Sequence, residues 1–409
     1  MKREILERYA RLVINVGINP NKGQKLVIAC PVDCAEFGRL CLSAAYEAGC
    51  GEVIMNWSDD YCSRETYLKA EDSAFEAFPA WRKVFFDDLA KEGAAKLSIY
   101  AADPENLKGV DPKRINSFQL ASGAALASYR ELQMKNAFPW CVVSVPIDSW
   151  ASKVFPDKST DDAMEALWGA ILKTVRADGA EDPVELWKKH IALLTERKEK
   201  LNAYNFKYLK YKNSLGTDLT VELPEGHYWE AASEKAGTGQ IFVPNLPTEE
   251  IFTAPKRDGV NGVICASKPL VLGGNVVDGI RFVLKDGRIT EVYADTGLDV
   301  LKNAISVDEG ASYLGEVALV PNDSPISNTG ILFYNTLFDE NAACHFAFGD
   351  SYPNIKGGSE MSAEELKAAG LNSSMTHEDF MIGTADLSIV GVTHEGEEIA
   401  VFKNGNFVI

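Results

Sequence analysis

Five histidines occur in 409 residues, and two of them stand in acid-rich stretches of the last third. These are Glu340-Asn-Ala-Ala-Cys-His345 and His377-Glu-Asp379-Phe380. Further carboxylates stand in the doublet Glu249-Glu250 and at Glu316, within Leu314-Gly-Glu-Val-Ala318. Imidazole with carboxylate is the ligand chemistry of a hydrolytic zinc, cobalt or manganese site. Four or five carboxylates with two imidazoles exceed the needs of one ion and suit two ions sharing a bridging carboxylate. A metallohydrolase is therefore the leading reading.

Each piece has a plainer alternative. His377-x-Asp379 puts two ligand-type side chains on one face if the backbone is extended, and Phe380-Met-Ile382 marks a buried neighbourhood. A surface Asp–His pair is the bland reading. Glu340 and His345 do not align on a regular helix face, so a bend or loop must bring them together. A lone histidine in an apolar run is usually a hydrogen-bonded core residue. Glu249-Glu250 precede Ile251-Phe252, and Glu316 lies between Gly315 and Val317. Glutamates with such neighbours cost several kcal/mol to bury as ions unless paired or metal-bound. His190 reads as a helix-surface residue, His227 as a pocket-lining candidate and His394 as part of a polar turn; none is assigned to metal.

The elements that must position these groups fall into two halves. Residues 3–16 form an amphipathic helical stripe closed by Gly17. Lys25-Leu-Val-Ile-Ala-Cys30 is an apolar run suited to a strand buried on both faces. A helix over roughly 33–48 and a strand at Val53-Ile-Met55 follow. Short strands at Leu97–Tyr100 and Cys141–Val145 are separated by helical stretches near 79–93 and 112–135, and helices over 160–176 and 183–203 close this half. Alternation of this kind predicts a doubly wound, mostly parallel α/β sheet over 1–205. After that the texture changes. Asp286-Gly287 and Asn404-Gly405 mark hairpins, and Ser362 with Glu365 forms a capping box for a helix ended by Gly370. A β-rich α+β catalytic domain is expected over 206–409.

Composition narrows the field further. A chain this long exceeds one ordinary core. A net charge of −18 argues against nucleic acid and against an anionic membrane surface. No apolar run approaches the ~20 residues that cross a bilayer. The N-terminal residues carry charges throughout, unlike a signal peptide, and the eight cysteines are scattered without a CxxC pair. Reduced thiols in a cytoplasmic protein are expected. The first strand–helix junction, Ala29-Cys-Pro-Val-Asp-Cys34, lacks the glycines of a dinucleotide site, and neither GxxxxGK[ST] nor GxSxG occurs. The parallel sheet is read as scaffold.

At these residues the sequence resembles the aminopeptidase T and aminopeptidase S family of two-metal exopeptidases. The resemblance runs through Gly216-Thr-Asp-Leu219, Leu223-Pro-Glu-Gly226, Asn245-Leu-Pro-Thr-Glu-Glu-Ile-Phe-Thr253 and Leu314-Gly-Glu316. It continues through Asp339–His345, Gly349-Asp-Ser-Tyr352 and Asn372-Ser-Ser-Met-Thr-His-Glu-Asp-Phe-Met-Ile-Gly383. It implies metal ligands at Glu250, Glu316, His345, His377 and Asp379, with Glu340 a further ligand and Tyr352 reaching the metals. It implies two divalent ions per subunit (zinc, cobalt or manganese, with magnesium possible), short peptide substrates and a homodimer enclosing its sites. The first candidate for the proton shuttle is Glu249, the second Glu316, and Tyr352 is expected at the developing oxyanion. Residues 256–261 are not matched to the resemblance, and no substrate contact is assigned there. Two other readings stay open: a metal-dependent amidohydrolase acting on a non-peptide amide, and a non-catalytic metal-stabilised binding protein.

Overall fold

The parallel sheet begins with Lys25–Pro31, whose residues Leu26, Val27 and Ile28 are all buried. In the computed structural model, which describes residues 2–273 and 275–409, this strand pairs parallel with Glu52–Ser58 on one side and Ala95–Ile99 on the other. Trp140–Val143 follows beyond Ala95–Ile99, again parallel. The chain thus winds outward in one direction, then returns to wind in the other. That is the doubly wound pattern expected from alternating strands and helices.

The chain packs as two units, Met1–Lys189 with Ser233–Pro247, and His190–Ala232 with Thr248–Ile409. The linear reading placed one division near 205. In the structure the division falls inside the helix Pro183–Tyr204, and the short strand Asn245–Leu246 adds to the first sheet beside Val142 and Val143. That pairing joins residues a hundred positions apart, which periodicity does not reveal. The helix expected over 112–135 is two, Pro112–Ala125 and Ala127–Met134. No described helix is long and apolar enough to cross a membrane.

The second unit is β-rich. Eight antiparallel strands run in the order Arg288–Tyr293, Arg281–Lys285, Val260–Cys265, Asp218–Glu222, Tyr208–Lys212, Ser388–Val392, Glu398–Lys403 and Asn406–Phe407. Both glycine-marked hairpins are present, as is the Ser362–Glu365 capping box. A second antiparallel sheet has the order His377–Met381, His345–Gly349, Leu314–Leu319, Ile251–Thr253 and Glu230–Ala231.

Aromatic side chains join the two sheets. Phe282 meets Phe348 and Phe380 at ring separations of 6.2 and 5.2 Å, and Tyr211 meets Phe346 at 5.2 Å. Ile251, Val317 and Leu319 belong to the same core. One face of the five-stranded sheet is thus committed to packing, and successive side chains must point to its other face.

Candidate metal centre

Strand register brings the acidic and imidazole groups together. Glu316 pairs with Ala347, which pairs with Asp379, while Ala318 pairs with His345 and Gly349 with His377. Paired residues of antiparallel strands share a face. Glu316, His345, His377 and Asp379 therefore lie on the face opposite Val317, Phe346, Phe348 and Phe380. Ala347, fully buried among them, leaves room between Glu316 and Asp379.

A local irregularity aims Glu316. The pairing slips by one residue between Leu314 and Glu316, so Leu314 pairs with Phe348 on the core side while Glu316 pairs with Ala347. A regular strand would put Leu314 and Glu316 on one face. The bulge falls at Gly315, where a Cβ would stand 2.0 Å from the Asp350 carbonyl oxygen. Bulges next to a site commonly re-aim a side chain in this way.

The resulting distances define two overlapping groups. The ligand atoms of Glu250, Glu316 and His345 lie within 4.8 Å of one another, as do those of Glu316, His377 and Asp379. His345 Nε2 is 3.2 Å from Glu250 Oε2 and 3.9 Å from Glu316 Oε1. His377 Nε2 is 3.0 Å from Glu316 Oε2 and 3.6 Å from Asp379 Oδ1. Glu316 presents one oxygen to each imidazole. His345 Nδ1 donates to the Ala343 carbonyl (3.1 Å) and His377 Nδ1 to the Asp350 carbonyl (2.8 Å). A carbonyl only accepts, so both Nδ1 atoms carry protons and both Nε2 atoms remain for the centre.

The electrostatics fit a cation. Burial alone would lower the His345 pKa, but the adjoining Glu250 carboxylate, with Asp379 and Glu316, carries it up to about 10. His377 is likewise raised against burial by Asp379 and Glu316. Burial, then Asp379 and Glu250, push the Glu340 carboxyl well up, whereas His377 holds Asp379 low despite its burial. Buried negative charge in excess thus draws protons to the imidazoles. Asp379 Oδ1 is buried with no hydrogen-bond partner among the described residues, which is costly unless a cation satisfies it. Hard oxygen donors with imidazole nitrogens suit divalent ions.

The remaining candidates are placed as follows. Glu340 opens a single turn, Glu340–Ala342, and Ala343 then extends into the His345 strand; this is the bend that a five-residue spacing requires. Asn341 Nδ2 donates to its carboxylate at 3.3 Å. The Tyr352 ring packs edge-on against His377, 5.6 Å between centroids, and against Phe252 at 5.5 Å. Glu249 belongs to neither group. The doublet precedes the strand Ile251–Thr253, outside regular structure, with both side chains buried. Glu250 faces His345, while Glu249 Oε2 lies 3.6 Å from His190 Nε2.

His190 corrects the sequence reading. It is 8% exposed, and its Nε2 lies 2.8 Å from the Thr248 carbonyl, the ring nitrogen donating. The helix that carries it contributes Leu194 and Leu201 to the core, so its surface-like pattern at 186–190 hid a second buried side. His227 is buried and bonded to the Pro224 carbonyl through Nδ1 at 3.0 Å, and His394 is exposed. Sequence reasoning also passed over Ala347 and Asp350; an alanine amid phenylalanines between two histidine motifs was the available signal.

Comparison with known proteins shows the family. The family described as "Thermophilic metalloprotease (M29)" matches residues 2–407. Aminopeptidase AmpS of Bacillus subtilis is 45% identical over 403 residues, 98% of each chain, and aminopeptidase T of Thermus thermophilus is 38% identical over 99% of this chain and 98% of its own. The solved structure of wild-type AmpT from Thermus thermophilus superposes with a TM-score of 0.92 at 37% identity, covering all of both chains. With donors suited to divalent ions gathered on one sheet face, and a family match along almost its whole length, this chain belongs to the thermophilic metalloprotease (M29) family, whose members are metal-dependent peptidases.

Proposed function

We propose that this metallo-aminopeptidase removes N-terminal residues from short peptides using two divalent ions per subunit. The observation that carries the two-ion reading is Glu316, whose two oxygens face different imidazoles. Glu250 and His345 would complete one site, and His377 and Asp379 the other, with Glu340 as a further ligand. Four carboxylates (Glu250, Glu316, Glu340 and Asp379) with two neutral imidazoles carry four negative charges, which two divalent cations neutralise. Zinc, cobalt and manganese suit these donors, and magnesium is a weaker match to the imidazoles.

Ions in such a site acidify a bound water and polarise the scissile carbonyl. The chain's own groups do the rest. Glu249 is the first candidate to carry a proton from the water to the leaving amine. It is buried and beside His190, which supports a fixed orientation for its carboxylate. Glu316 is the second candidate. Tyr352, packed on His377, would donate a hydrogen bond from its hydroxyl to the developing oxyanion. An acidic side chain or an ion would hold the substrate's free amino group, restricting cleavage to the first residue.

A homodimer and a cytoplasmic location belong to the same proposal. Helices Asp60–Lys69 and Pro112–Ala125 bury no residue, and Tyr61 and Trp81 are 72% and 73% exposed, surfaces that a second copy would cover. All eight cysteines are unpaired, which suits a reducing compartment. The test is dialysis against chelator, then add-back of each ion while following leucine p-nitroanilide and its N-acetylated form. Metal-dependent cleavage of the free-amine substrate alone is expected. Equal cleavage of the blocked form would replace the aminopeptidase reading with an amidohydrolase.

A further inference from the structure

The two histidines of the centre are held by different means. The Nδ1 acceptor of His345 is the carbonyl of Ala343, two residues away in the same segment. The acceptor of His377 is the carbonyl of Asp350, which belongs to another loop. The orientation of His377 therefore depends on how that loop is fixed.

One buried side chain gathers the supports. Asn372 is 4% exposed; its Nδ2 donates to the Gly310 carbonyl at 2.8 Å and to the Gly349 carbonyl at 2.5 Å. Its backbone N–H donates to Ser351 Oγ at 3.3 Å. Three loops, 308–313, 349–352 and 372–376, thus meet at one amide. Their approach is close enough that a Cβ on Gly310 would stand 1.9 Å from the Ser373 carbonyl oxygen. Gly349, at φ +109, would clash similarly with Thr376.

Arg257 fixes Asn372 in turn. Its Nε donates to Asn372 Oδ1 at 3.2 Å, its guanidinium lies 3.8 Å over the Tyr313 ring, and Nη2 pairs with Glu309 at 2.7 Å. With Oδ1 accepting from Arg257, the amide must turn its NH2 toward the two carbonyls. Residues 256–261 fell outside the sequence resemblance, and this is where one of them acts.

We propose that Asn372, oriented by Arg257, is a positioning residue for the His377 half of the metal centre, so that its loss weakens one ion and spares the other. The inference rests on the two-ion reading. Partners that orient a ligating histidine typically change metal affinity 10–100-fold when lost. Removing the amide loses one tie between the 349–352 loop and 308–313, the Gly349 N–H bond to the Tyr313 carbonyl at 2.9 Å remaining, and so loosens the Asp350 carbonyl. The Ala343 carbonyl behind His345 is untouched.

The test is titration of the chelator-stripped full chain with cobalt and with zinc against a competing chelator, following cobalt absorption. In Asn372→Ala, one equivalent should bind as in the unaltered chain and the other 10–100-fold more weakly. Asn372→Asp keeps the acceptor for Arg257 but loses both donated bonds, and should show the same selective loss. If Asn372→Ala does not fold, Asn372→Asp and Arg257→Gln decide the matter. Two equivalents bound as before, or both weakened alike, would overturn the inference. A single equivalent in the unaltered chain would instead refute the two-ion reading on which it rests.

Discussion

Ala347→Val and Val317→Ala form a paired test of the face assignment. Ala347 sits between Glu316 and Asp379 on the ligand face, fully buried, and Val317 points into the core from the strand next door. Directly opposed side chains on such strands have Cβ atoms ~4.5–5.5 Å apart. Two added carbons at Ala347 must therefore intrude between the carboxylates. Overpacking costs about 1–3 kcal/mol, small beside a folding free energy of about 5–15 kcal/mol. Ala347→Val should fold yet lose at least about tenfold in metal affinity, equivalent to ~1.4 kcal/mol.

Val317→Ala should do the opposite. Removing two buried carbons costs ~0.8 kcal/mol each, and the cavity term brings the total to about 2 kcal/mol. Spread over 409 residues at ~2.1 cal/mol/K each, that lowers Tm by about 2 °C. Metal affinity should be unchanged. Scanning fluorimetry of the metal-free variants, with zinc titration against a competing chelator, measures both quantities. Full metal affinity in Ala347→Val together with its loss in Val317→Ala would refute the two-face account.

Glu249→Gln should retain metal and lose turnover, while Glu250→Gln should lose metal; metal analysis giving the reverse would swap the two assignments. In the metal-free chain His345 is held near pKa 10 by Glu250, Asp379 and Glu316 against the pull of burial. It is protonated at neutral pH, and an ion needs the neutral ring. Metal affinity should therefore rise as pH rises toward 10, with proton release seen as a calorimetric enthalpy that varies with buffer ionisation heat; the same enthalpy in every buffer would contradict this. Cleavage of leucine-initiated peptides should fall steeply beyond about a dozen residues, each adding ~3.3 Å of chain to thread into an enclosed site, and light scattering should report a dimer. A monomer that degrades casein as readily as a tripeptide would sink the enclosure idea.

The parts of this structure that periodicity governs were legible in the sequence. His377 and Asp379 fall on one face because a strand alternates side chains, and the glycine hairpins and the Ser362 cap follow from local backbone chemistry. What was not legible depends on returns of distant chain. His190 looked solvated because its partner, the Thr248 carbonyl, lies 58 residues further on. Asn245–Leu246 joins the first sheet for a similar non-local reason. The slip at Gly315 that turns Leu314 inward while exposing Glu316 to the centre also needs the neighbouring strand to define it. The different surroundings of Glu249 and Glu250 needed both His190 and His345 in place.

Metal content per chain tests the shared-carboxylate account most directly. Mass-spectrometric metal analysis after stripping, reloading and desalting should give two equivalents for the unaltered chain. His345→Ala should retain one, and Glu316→Ala, which removes a ligand from both groups, should retain none. Two equivalents retained by Glu316→Ala, or one bound by the unaltered chain, would contradict a centre built around Glu316.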